Sequence, residues 1–447
     1  MSKNSPSNTQ AESKLLAWVV CITASLFFFY EFIQMNLFNA ISEALIESFH
    51  MGAAGLGTMS SYYFIANVVF LFPAGMLLDR FSTKKVILSS LAVCIIGTFC
   101  FSFAQSIGWA TFFRFLTGIG SAFCFLSVIR LATRWFPTKR LALITGIVVT
   151  IAMFGGVMAQ KPLSMLVEVV SWRTALVIDG GVGIIVFILI ALIVRDFPRG
   201  YQAQRQSELK TLHNLGYWKS MGKAFLRLHN WLGGIYTSTM NLPLSLLGGL
   251  WGVMYLEHVQ GISASLAPEI TMMLFVGTMV GSPISGWVSD RIDRRRLPML
   301  TGAIISLCLV TVLLVVPGLS IISLFVLFFA LGFFTSTQII GYPVVAERSP
   351  PAITAMSVSV VNITTQGGIA IFQPVFGWLM DAHANSAHHS TPSTYLGSDF
   401  NWAMIIFPAG LIIALLAALF ISKRSVCPKA NAAQSNEHTD AVPATSK

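Results

Sequence analysis

Long apolar runs separated by short polar segments dominate the sequence between residues 15 and 422. Each run has about 20 residues, the length that an α-helix needs to cross the hydrocarbon core of a bilayer. Twelve such runs predict an all-α membrane protein with twelve transmembrane helices, numbered spans 1 to 12. The predicted spans are 15–39, 54–78, 86–105, 108–134, 141–163, 172–195, 231–257, 266–289, 297–317, 319–346, 354–380 and 400–422.

Lysine and arginine side chains are concentrated in every second connection between these spans. The connections after spans 2, 4, 6, 8 and 10 are basic, whereas the others carry almost no positive charge apart from Arg173. An excess of Lys and Arg marks cytoplasmic loops. We therefore expect both termini to be cytoplasmic, in a multi-pass protein of a bacterial inner membrane.

A polar, basic linker after span 6 divides the spans into two sets of six. The predicted organisation is a cytoplasmic tail (1–13), an N-terminal six-helix bundle (14–195), a cytoplasmic linker (196–228), a C-terminal six-helix bundle (229–422) and a second cytoplasmic tail (423–447). The composition of the two tails, rich in Ser, Asn and Ala, predicts disorder. The first apolar run is too long for the apolar region of a cleavable signal peptide.

Composition supports a lipid environment and excludes other classes. Hydrophobic residues make up 55% of the chain and charged residues only 10%, compared with about 25% charged residues in soluble domains. The net charge of +10 lies in the loops that flank the spans, so we expect no nucleic-acid partner. The six cysteines form no CxxC pair, and five lie in apolar runs, which favours helix packing over a metal or disulfide role.

The two sets of spans are related by an internal repeat. Residues Gly75, Asp79, Arg80, Lys84 and Lys85 recur as Gly286, Asp290, Arg291, Arg295 and Arg296, each 211 positions later (286 − 75 = 211). Gly155-Gly156 and Lys161-Pro162 recur 212 positions later as Gly367-Gly368 and Gln373-Pro374. Parallel repeats of this kind place a solute site between the halves, near the membrane midplane.

The segment from Gly75 to Lys85 resembles the signature loop between spans 2 and 3 of the major facilitator superfamily. Together with the twelve spans and the duplication, the resemblance covers essentially the whole chain. Ser82 stands where the family pattern usually has a second glycine, and Asp293 takes that place in the repeat copy. The resemblance implies the major facilitator fold, transport by alternating access, and function as a monomer.

The same resemblance implies a cytoplasmic latch that stabilises the outward-open state. In the family, the carboxylate at the position of Asp79 sits near the start of a neighbouring helix, where negative charge is favoured. A cluster of charges with a purely topological role is the alternative. The predicted latch residues are Gly75, Asp79, Arg80, Lys84, Gly286, Asp290, Arg291 and Arg295.

Charged side chains inside the spans are costly and indicate function. Glu31 lies past the middle of span 1 among aromatic residues. Burial favours the protonated form of a carboxyl group, so Glu31 is predicted to exchange a proton. A fixed ion pair and a substrate contact are the alternatives.

Arg114 begins the segment Arg114-Phe-Leu-Thr-Gly118-Ile-Gly120 of span 4, which is similar to a second motif of the family. In proton-coupled members this arginine sits near an acid on span 1 or its neighbours, so the resemblance implies that Arg114 lies near Glu31. A nearby arginine favours the ionised form of the acid and opposes the effect of burial. The sequence leaves open which effect is larger.

Three further charges lie within the spans. Lys161, before Pro162, either reaches the outer surface or binds an anionic group of the substrate. Asp179 is a candidate partner of Arg114 or Lys161 and, with Glu31 and Arg114, completes the predicted proton-coupling set. Arg130 is 16 residues after Arg114, which places it on another face of the helix and predicts that it reaches the cytoplasm.

Polar and aromatic residues of several other spans are candidates for the wall of a substrate cavity, although each one alone is more often a packing residue. The predicted substrate-binding set is Tyr30, Gln34, Tyr62, Tyr63, Asn67, Arg114, Lys161, Tyr236, Asn241, Trp251, Gln338, Tyr342, Asn362 and Gln366.

With Glu31 protonated, the charges in the spans sum to a positive value. This balance favours uptake, by proton symport, of a small anionic or zwitterionic solute such as a carboxylate metabolite, an amino acid or a small peptide. The proton gradient would drive transport without a cofactor, and the expected partners are the solute, protons and the lipid bilayer.

Two other functions remain open, a proton-coupled efflux antiporter of drugs or metabolites and a solute-sensing receptor on a transporter scaffold. Drug exporters usually carry a Gly-Pro pair in span 5, which the stretch from Gly146 to Gly156 lacks. Tyr30-Glu31 with Asn36, and the segment from Arg130 to Pro137, resemble the phagosomal-nutrient transporter branch of intracellular bacteria. That branch includes amino-acid carriers and importers of carboxylate siderophores.

Motifs of enzymes and metal sites are not evident in the sequence. It contains no nucleotide-binding loop, no HExxH and no GxSxG, so we expect no enzymatic activity. His383, His388 and His389 in the last outer loop are interpreted as a solvated polar segment without a metal.

Overall fold

A computed structural model describes residues 6–136, 140–197, 222–292, 294–316, 318–349, 354–386 and 395–421. These residues are almost entirely helical, and no strand occurs among them. Most of the predicted linker, the C-terminal tail, residues 1–5, Pro137, His388 and His389 lie outside the described residues. Residues 6–13, predicted to be a disordered tail, are instead the helical start of span 1.

The N-terminal half follows the predicted order of six spans, with two differences. Span 1 continues beyond its predicted end as the helix Phe38–Phe49, which stops at His50 in a left-handed conformation (φ 50°). Span 5 is broken at Gln160, because Pro162 starts a new helix after it. The helices are Pro6–Asn36, Phe38–Phe49, Ala53–Arg80, Thr83–Ser102, Ile107–Ser121, Cys124–Trp135, Leu141–Met158, Lys161–Val170 and Trp172–Ile193.

The C-terminal half repeats this order, and its span 7 contains an irregular segment. Pro243–Trp251 is a π-helix between two α-helical segments, a feature often found at functional sites. The helical segments are Leu228–Met240, Pro243–Trp251, Gly252–His258, Ala267–Ile292, Arg296–Val315, Ile321–Thr335, Ser336–Ile340, Gly341–Arg348, Thr354–Ser386, Gly397–Ala403 and Ile406–Phe420.

Ten segments of the described chain are long and apolar enough to cross a membrane by length and composition alone. The other two predicted spans are span 7, which the π-helix interrupts, and span 11, the 33-residue helix Thr354–Ser386. Polar residues at several positions lower the apolar character of span 11. The architecture is thus the predicted set of twelve transmembrane helices in two six-helix bundles.

The two halves meet along spans 2 and 11 on one side and spans 5 and 8 on the other. We name the end that carries the basic loops the basic end and the opposite end the sealed end. Within the part of the chain that the structure describes, every hydrogen bond and ion pair between the halves lies at the sealed end. These polar contacts between the halves therefore close the molecule at the sealed end.

Candidate functional site

A group of buried polar side chains lies inside the N-terminal half, where spans 1, 2 and 4 meet. The hydroxyl of Tyr63 donates a hydrogen bond of 2.8 Å to Oε1 of Glu31. The guanidinium carbon of Arg114 lies 4.4 Å from the ring centroid of Tyr63 and 4.4 Å from that of Phe38. Glu31 and Arg114 are only 3% and 2% exposed. The structure thus brings Glu31 and Arg114 close together, with Tyr63 between them.

The hydrogen-bonding capacity of this group is only partly used. Among the described residues, Glu31 and Arg114 form no ion pair within 4.0 Å, and Oε2 of Glu31 and Nε and Nη2 of Arg114 have no hydrogen-bond partner. A buried donor without a partner costs about 1–3 kcal/mol. The two aromatic rings offset part of this cost, since each attracts a cation over its face. Arg114 therefore has N–H groups that are available to donate hydrogen bonds to an anionic group.

A second polar group lies one helical turn further along span 1. Nε2 of Gln34 donates to Oδ2 of Asp179 on span 6, and Thr98 on span 3 donates to Oε1 of Gln34 at 2.9 Å. Asp179 is 6% exposed. The expected ion pair of Asp179 with Arg114 or Lys161 is not present within the described chain, because an amide from span 1 faces this carboxylate instead.

The two polar groups line a common small cavity inside the N-terminal half. Gln34, Thr98, Arg114 and Thr117 contribute its polar lining, and Phe38 contributes part of its apolar wall. Spans 1, 3 and 4 therefore supply the polar lining of one small cavity, and one of its lining residues, Gln34, is the hydrogen-bond donor to Asp179.

Close helix packing positions these side chains. A Cβ atom added at Gly118, the first glycine of the Arg-x-x-x-Gly-x-Gly motif, would lie 2.2 Å from the carbonyl oxygen of Tyr63. Only glycine permits spans 2 and 4 to approach so closely. The motif thus supplies the arginine and also the contact that places Tyr63 beside it.

Other predicted cavity residues of the N-terminal half have different surroundings. Tyr30 is fully buried, and its ring faces Gly183 of span 6. Asn67 is buried and donates a 2.8 Å hydrogen bond to Ser121. Tyr62 is 39% exposed and contacts Phe115 edge to face. A role of these three residues in substrate binding stays a prediction.

The candidates of the C-terminal half divide into two sets. Tyr236 and Trp251 are fully buried: the hydroxyl of Tyr236 lies 3.0 Å from Thr337, and Trp251 stacks on Phe376. The other five candidates are half-buried, and a role in substrate binding stays a prediction for both sets. They are Asn241, Gln338, Tyr342, Asn362 and Gln366.

Amide side chains join the halves at the sealed end. Oε1 of Gln160 accepts hydrogen bonds from Asn39 (2.6 Å) and Thr271 (2.9 Å), and its Nε2 donates to the carbonyl oxygen of Gly248 (2.9 Å). Oδ1 of Asn39 accepts from the main-chain N–H of Val253 at 3.2 Å. We name this group the amide seal. The sequence analysis missed it, although Asn39 at the predicted end of span 1 and Gln160 beside Lys161 were visible polar signals.

Lys161 belongs to the sealed end as well. Its ammonium group lies 3.1 Å from Glu269 of span 8 and donates to the carbonyl oxygen of Ser265. In this conformation Lys161 therefore pairs with the other half, which differs from the expected contacts with a substrate anion or with the outer surface. Gln160 ends the first helix of span 5, and the second helix, which starts at Lys161, contacts span 8.

A third contact at the sealed end joins spans 2 and 11. Asp381 accepts hydrogen bonds from the main-chain N–H groups of Ala53 (3.2 Å) and Ala54 (3.0 Å), and the hydroxyl of Tyr395 lies 2.6 Å from the N–H of Ala53. A carboxylate at a helix N-terminus is favourable, because the first N–H groups lack partners within the helix. The C-terminal half therefore caps a helix of the N-terminal half.

One group within the described chain has the composition of a metal site, namely Glu43, Glu257 and His258 at the sealed end. Its carboxylates are partly exposed, and Nδ1 of His258 lies 2.9 Å from the carbonyl oxygen of Met254. His383 pairs instead with Asp399 at 2.6 Å. Neither arrangement supplies a closed set of metal ligands.

Comparison of the sequence with family profiles shows the family to which this chain belongs. Residues 23–249 and residues 240–446 each match the profile of the Major Facilitator Superfamily. The chain belongs to this superfamily. The resemblance noted from the signature loop and the repeat is thereby confirmed.

Relatives within the Major Facilitator Superfamily are transporters by name. The chain is 27% identical over 359 residues to a D-galactonate transporter of Escherichia coli O6:H1, covering 74% of this chain and 82% of that protein. It is 22% identical over 405 residues to a probable galactarate/D-glucarate transporter of Escherichia coli K12, covering 84% and 87%. Family and relatives identify a secondary transporter of the membrane.

The fold is similar to that of a bacterial homologue of the human lysosomal transporter Spinster in an inward-facing, unoccupied conformation. The TM-score is 0.71 at 19% identity, and the match covers 91% of this chain and 96% of that chain. The similarity confirms the major facilitator fold.

The predicted latch of this superfamily member lies at the basic end, and its second copy forms contacts within one half. Arg295 pairs with Asp290 and with Glu347 of span 10, the latter at 2.6 Å. Burial alone would lower the pKa of Arg295, but the hydrogen bonds to Glu347 and Asp290 raise it above its usual value. Arg291 instead lies over the ring of Trp287.

In the first copy, Asp196 fixes the loop: it accepts a 2.7 Å hydrogen bond from the main-chain N–H of Lys84, and Ser82 also donates to it. The side chains of Asp79 and Arg80 lie outside the described part of the chain. Gly75 and Gly286 lie within the helices of spans 2 and 8. The latch function in an outward-open state stays a prediction.

Proposed function

We propose that the protein is a proton-coupled symporter that takes up a small organic anion by alternating access. The observation that carries the proposal is the buried Arg114, with free N–H donors, beside the carboxyl group of Glu31. An arginine remains charged at physiological pH, whereas a buried carboxyl group can gain or lose a proton. Such a site combines an attraction for anions with a place to hold a proton.

The charge of the cluster links binding of the proton to binding of the anionic solute. With Glu31 and Asp179 ionised and Arg114 charged, the cluster carries −1; one bound proton makes it neutral, and two make it +1. Net charge is unfavourable in a low-dielectric interior. A cluster that has taken up two protons therefore favours binding of an anion, and release of the anion favours release of a proton. This is the thermodynamic basis of symport.

The names of the relatives support carboxylate metabolites over amino acids and peptides. D-Galactonate carries one carboxylate, and galactarate and D-glucarate carry two. Arginine binds carboxylates well because its planar group can donate two parallel hydrogen bonds. We therefore propose a hydroxylated carboxylic acid of the sugar-acid type as the solute.

The charge pattern of the loops supports the direction of opening. If the basic end is cytoplasmic, as Lys and Arg enrichment favours, the sealed end faces the periplasm and the described conformation is inward-facing. A solute carried in the preceding outward-open state would then leave towards the cytoplasm.

Thermal stabilisation of the purified protein tests the substrate class. D-Galactonate and D-glucarate should raise the melting temperature, and more so at acidic than at alkaline pH, because a ligand that binds the folded state stabilises it according to its occupancy. D-Galactose, the neutral counterpart of D-galactonate, is the matched control. Stabilisation only by neutral sugars would contradict the proposal, and stabilisation only by lipophilic cations would favour the efflux antiporter.

A further inference from the structure

Tyr63 contacts Glu31 and Arg114 and belongs to an apolar cluster that includes a residue of the other half. Its hydroxyl donates to Glu31 at 2.8 Å, and its ring face lies 4.4 Å from the guanidinium carbon of Arg114. The ring also belongs to a small apolar cluster with Phe64 and with Ile369 of span 11, which comes from the other half. Tyr63 is fully buried. No other side chain of the described site joins the acid, the base and the opposite half.

The hydrogen bond from Tyr63 acts on the charge of Glu31. A donor favours the ionised carboxylate, and a bond to an ionised acceptor is about twice as strong as a bond between neutral groups. The other oxygen of Glu31 has no partner within the described residues. Within the described residues, the hydroxyl of Tyr63 is thus the hydrogen-bond donor to the carboxyl group of Glu31. Removal of this hydroxyl would favour the protonated form of Glu31.

The ring of Tyr63 helps to hold the guanidinium group of Arg114 in place. It forms one side of an aromatic pair, with Phe38 on the other side, that holds the guanidinium group of Arg114. The close approach of Gly118 to the main chain of Tyr63 leaves span 2 little freedom to move relative to span 4. Glu31 is thus linked to the ring of Tyr63 by a hydrogen bond, and the apolar cluster of Tyr63, Phe64 and Ile369 continues from that ring to span 11.

We infer that Tyr63 is the positioning residue that sets the proton affinity of Glu31 and transmits its protonation state to span 11. This inference rests on the proposed exchange of a proton at Glu31. The other titratable and charged groups that face this site are Arg114 and Cys124 on span 4, Cys94 on span 3, Asp179 on span 6 and Tyr30 on span 1. All of them are retained in the experiment.

Infrared titration of the full-length protein in lipid bilayers tests the first half of the inference. The carbonyl stretching band of protonated carboxyl groups is followed from acidic to alkaline pH, and the component lost in Glu31→Gln is assigned to Glu31. In Tyr63→Phe the ring remains but the hydroxyl is lost. The midpoint of the Glu31 component should then move up by about one pH unit, a tenfold change in proton affinity. Phe64→Leu, in the same cluster but without contact to Glu31, should leave the midpoint unchanged.

Distance measurements between spin labels on spans 2 and 11 at the sealed end test the second half. In the parent protein the fraction of closed molecules should follow the Glu31 midpoint, and in Tyr63→Phe it should move with the shifted midpoint. In Tyr63→Leu, which loses the ring, this fraction should no longer follow the Glu31 midpoint.

The possible outcomes separate the two proposals. An unchanged midpoint in Tyr63→Phe, with Glu31 still titrating, overturns the role of Tyr63 and leaves proton exchange at Glu31 intact. Absence of any titrating Glu31 component overturns both. A closed fraction in Tyr63→Leu that still follows the Glu31 midpoint overturns the transmission to span 11. None of these readouts needs the transported solute, so an incorrect substrate class does not affect them.

Discussion

At the scale of single residues, the N-terminal half concentrates ionisable groups that are costly to bury. Glu31, Asp179 and Arg114 are each at most 6% exposed, and none forms an ion pair with another within the described chain. Hydrogen bonds from Tyr63 and Gln34 and the two aromatic rings hold them instead. Such a loosely compensated cluster can change its protonation without breaking a salt bridge.

Glu31→Gln should abolish uphill accumulation of the solute but preserve exchange of labelled for unlabelled solute. Glutamine keeps the size and an oxygen acceptor for Tyr63, but it cannot bind a proton. Uptake into proteoliposomes with and without a pH gradient measures the first effect, and counterflow measures the second. Glu47→Gln, at an exposed carboxylate near the sealed end, is the control. Loss of counterflow as well would mean that Glu31 is required for binding or folding.

The sequence predicted which charges are buried in the spans, but not how they are paired. Hydropathy and spacing identified Glu31, Arg114 and Asp179 without reference to tertiary structure. The pairing of Asp179 with Gln34, and the position of Tyr63 between Glu31 and Arg114, depend on the rotation of each helix about its axis. Apolar runs fix this rotation poorly, because lipid-facing and protein-facing sides are both hydrophobic. The predicted twelve-helix architecture is therefore confirmed, whereas the expected partner of Asp179 is replaced by Gln34.

At the scale of elements, irregular segments lie where the halves meet. The break at Gln160 in span 5 and the π-helix Pro243–Trp251 in span 7 both face the amide seal. Prolines 162 and 243 mark these positions in the sequence, but a proline alone does not distinguish a kink from a π-helix. Their positions were therefore readable from the sequence and their geometry was not.

Gly57→Ala should weaken closure of the sealed end. A Cβ atom at residue 57 would lie 2.5 Å from the carbonyl oxygen of Gln373 and 2.8 Å from Cα of Pro374, across the interface between spans 2 and 11. Overpacking of this kind costs about 1–3 kcal/mol, so the ratio of closed to open molecules should fall by roughly tenfold. Distances between spin labels at the sealed end measure the ratio.

Gly146→Ala is the matched control for this substitution, since no atom lies within 4 Å of the added Cβ atom. It should leave the ratio of closed to open molecules unchanged. A distance distribution in Gly57→Ala identical to that of the control would contradict the close approach of spans 2 and 11.

At the scale of the whole molecule, the contacts between the halves are distributed unevenly along the membrane normal. The described polar contacts at the sealed end include the amide seal, the Lys161–Glu269 pair and the cap from Asp381. Each is of moderate strength, since about 0.5–1.5 kcal/mol is typical of a hydrogen bond in a folded protein. Together they can hold the molecule closed at one end and still permit a population shift by a ligand.

Reversal of both charges in the Lys161–Glu269 pair should restore the population of closed molecules that either single reversal lowers. Lys161→Glu or Glu269→Lys alone places like charges across the interface and should lower the closed population by about fivefold or less, because the pair is partly exposed. The double variant should recover most of that population, and the difference should shrink at high salt. A double variant no better than the poorer single variant would show that this pair does not contribute to closure.

Within the amide seal, span 7 contributes main-chain atoms only, whereas spans 1, 5 and 8 contribute side chains. Gln160 and Asn39 contribute side chains, whereas span 7 contributes the carbonyl oxygen of Gly248 and the N–H of Val253. Main-chain atoms are present whatever residue occupies a position. A library of all substitutions should therefore tolerate other apolar residues at Val253 while rejecting most changes at Gln160. The sequence of span 7 can therefore change during evolution without loss of the amide seal, as long as the main chain of that segment keeps its position.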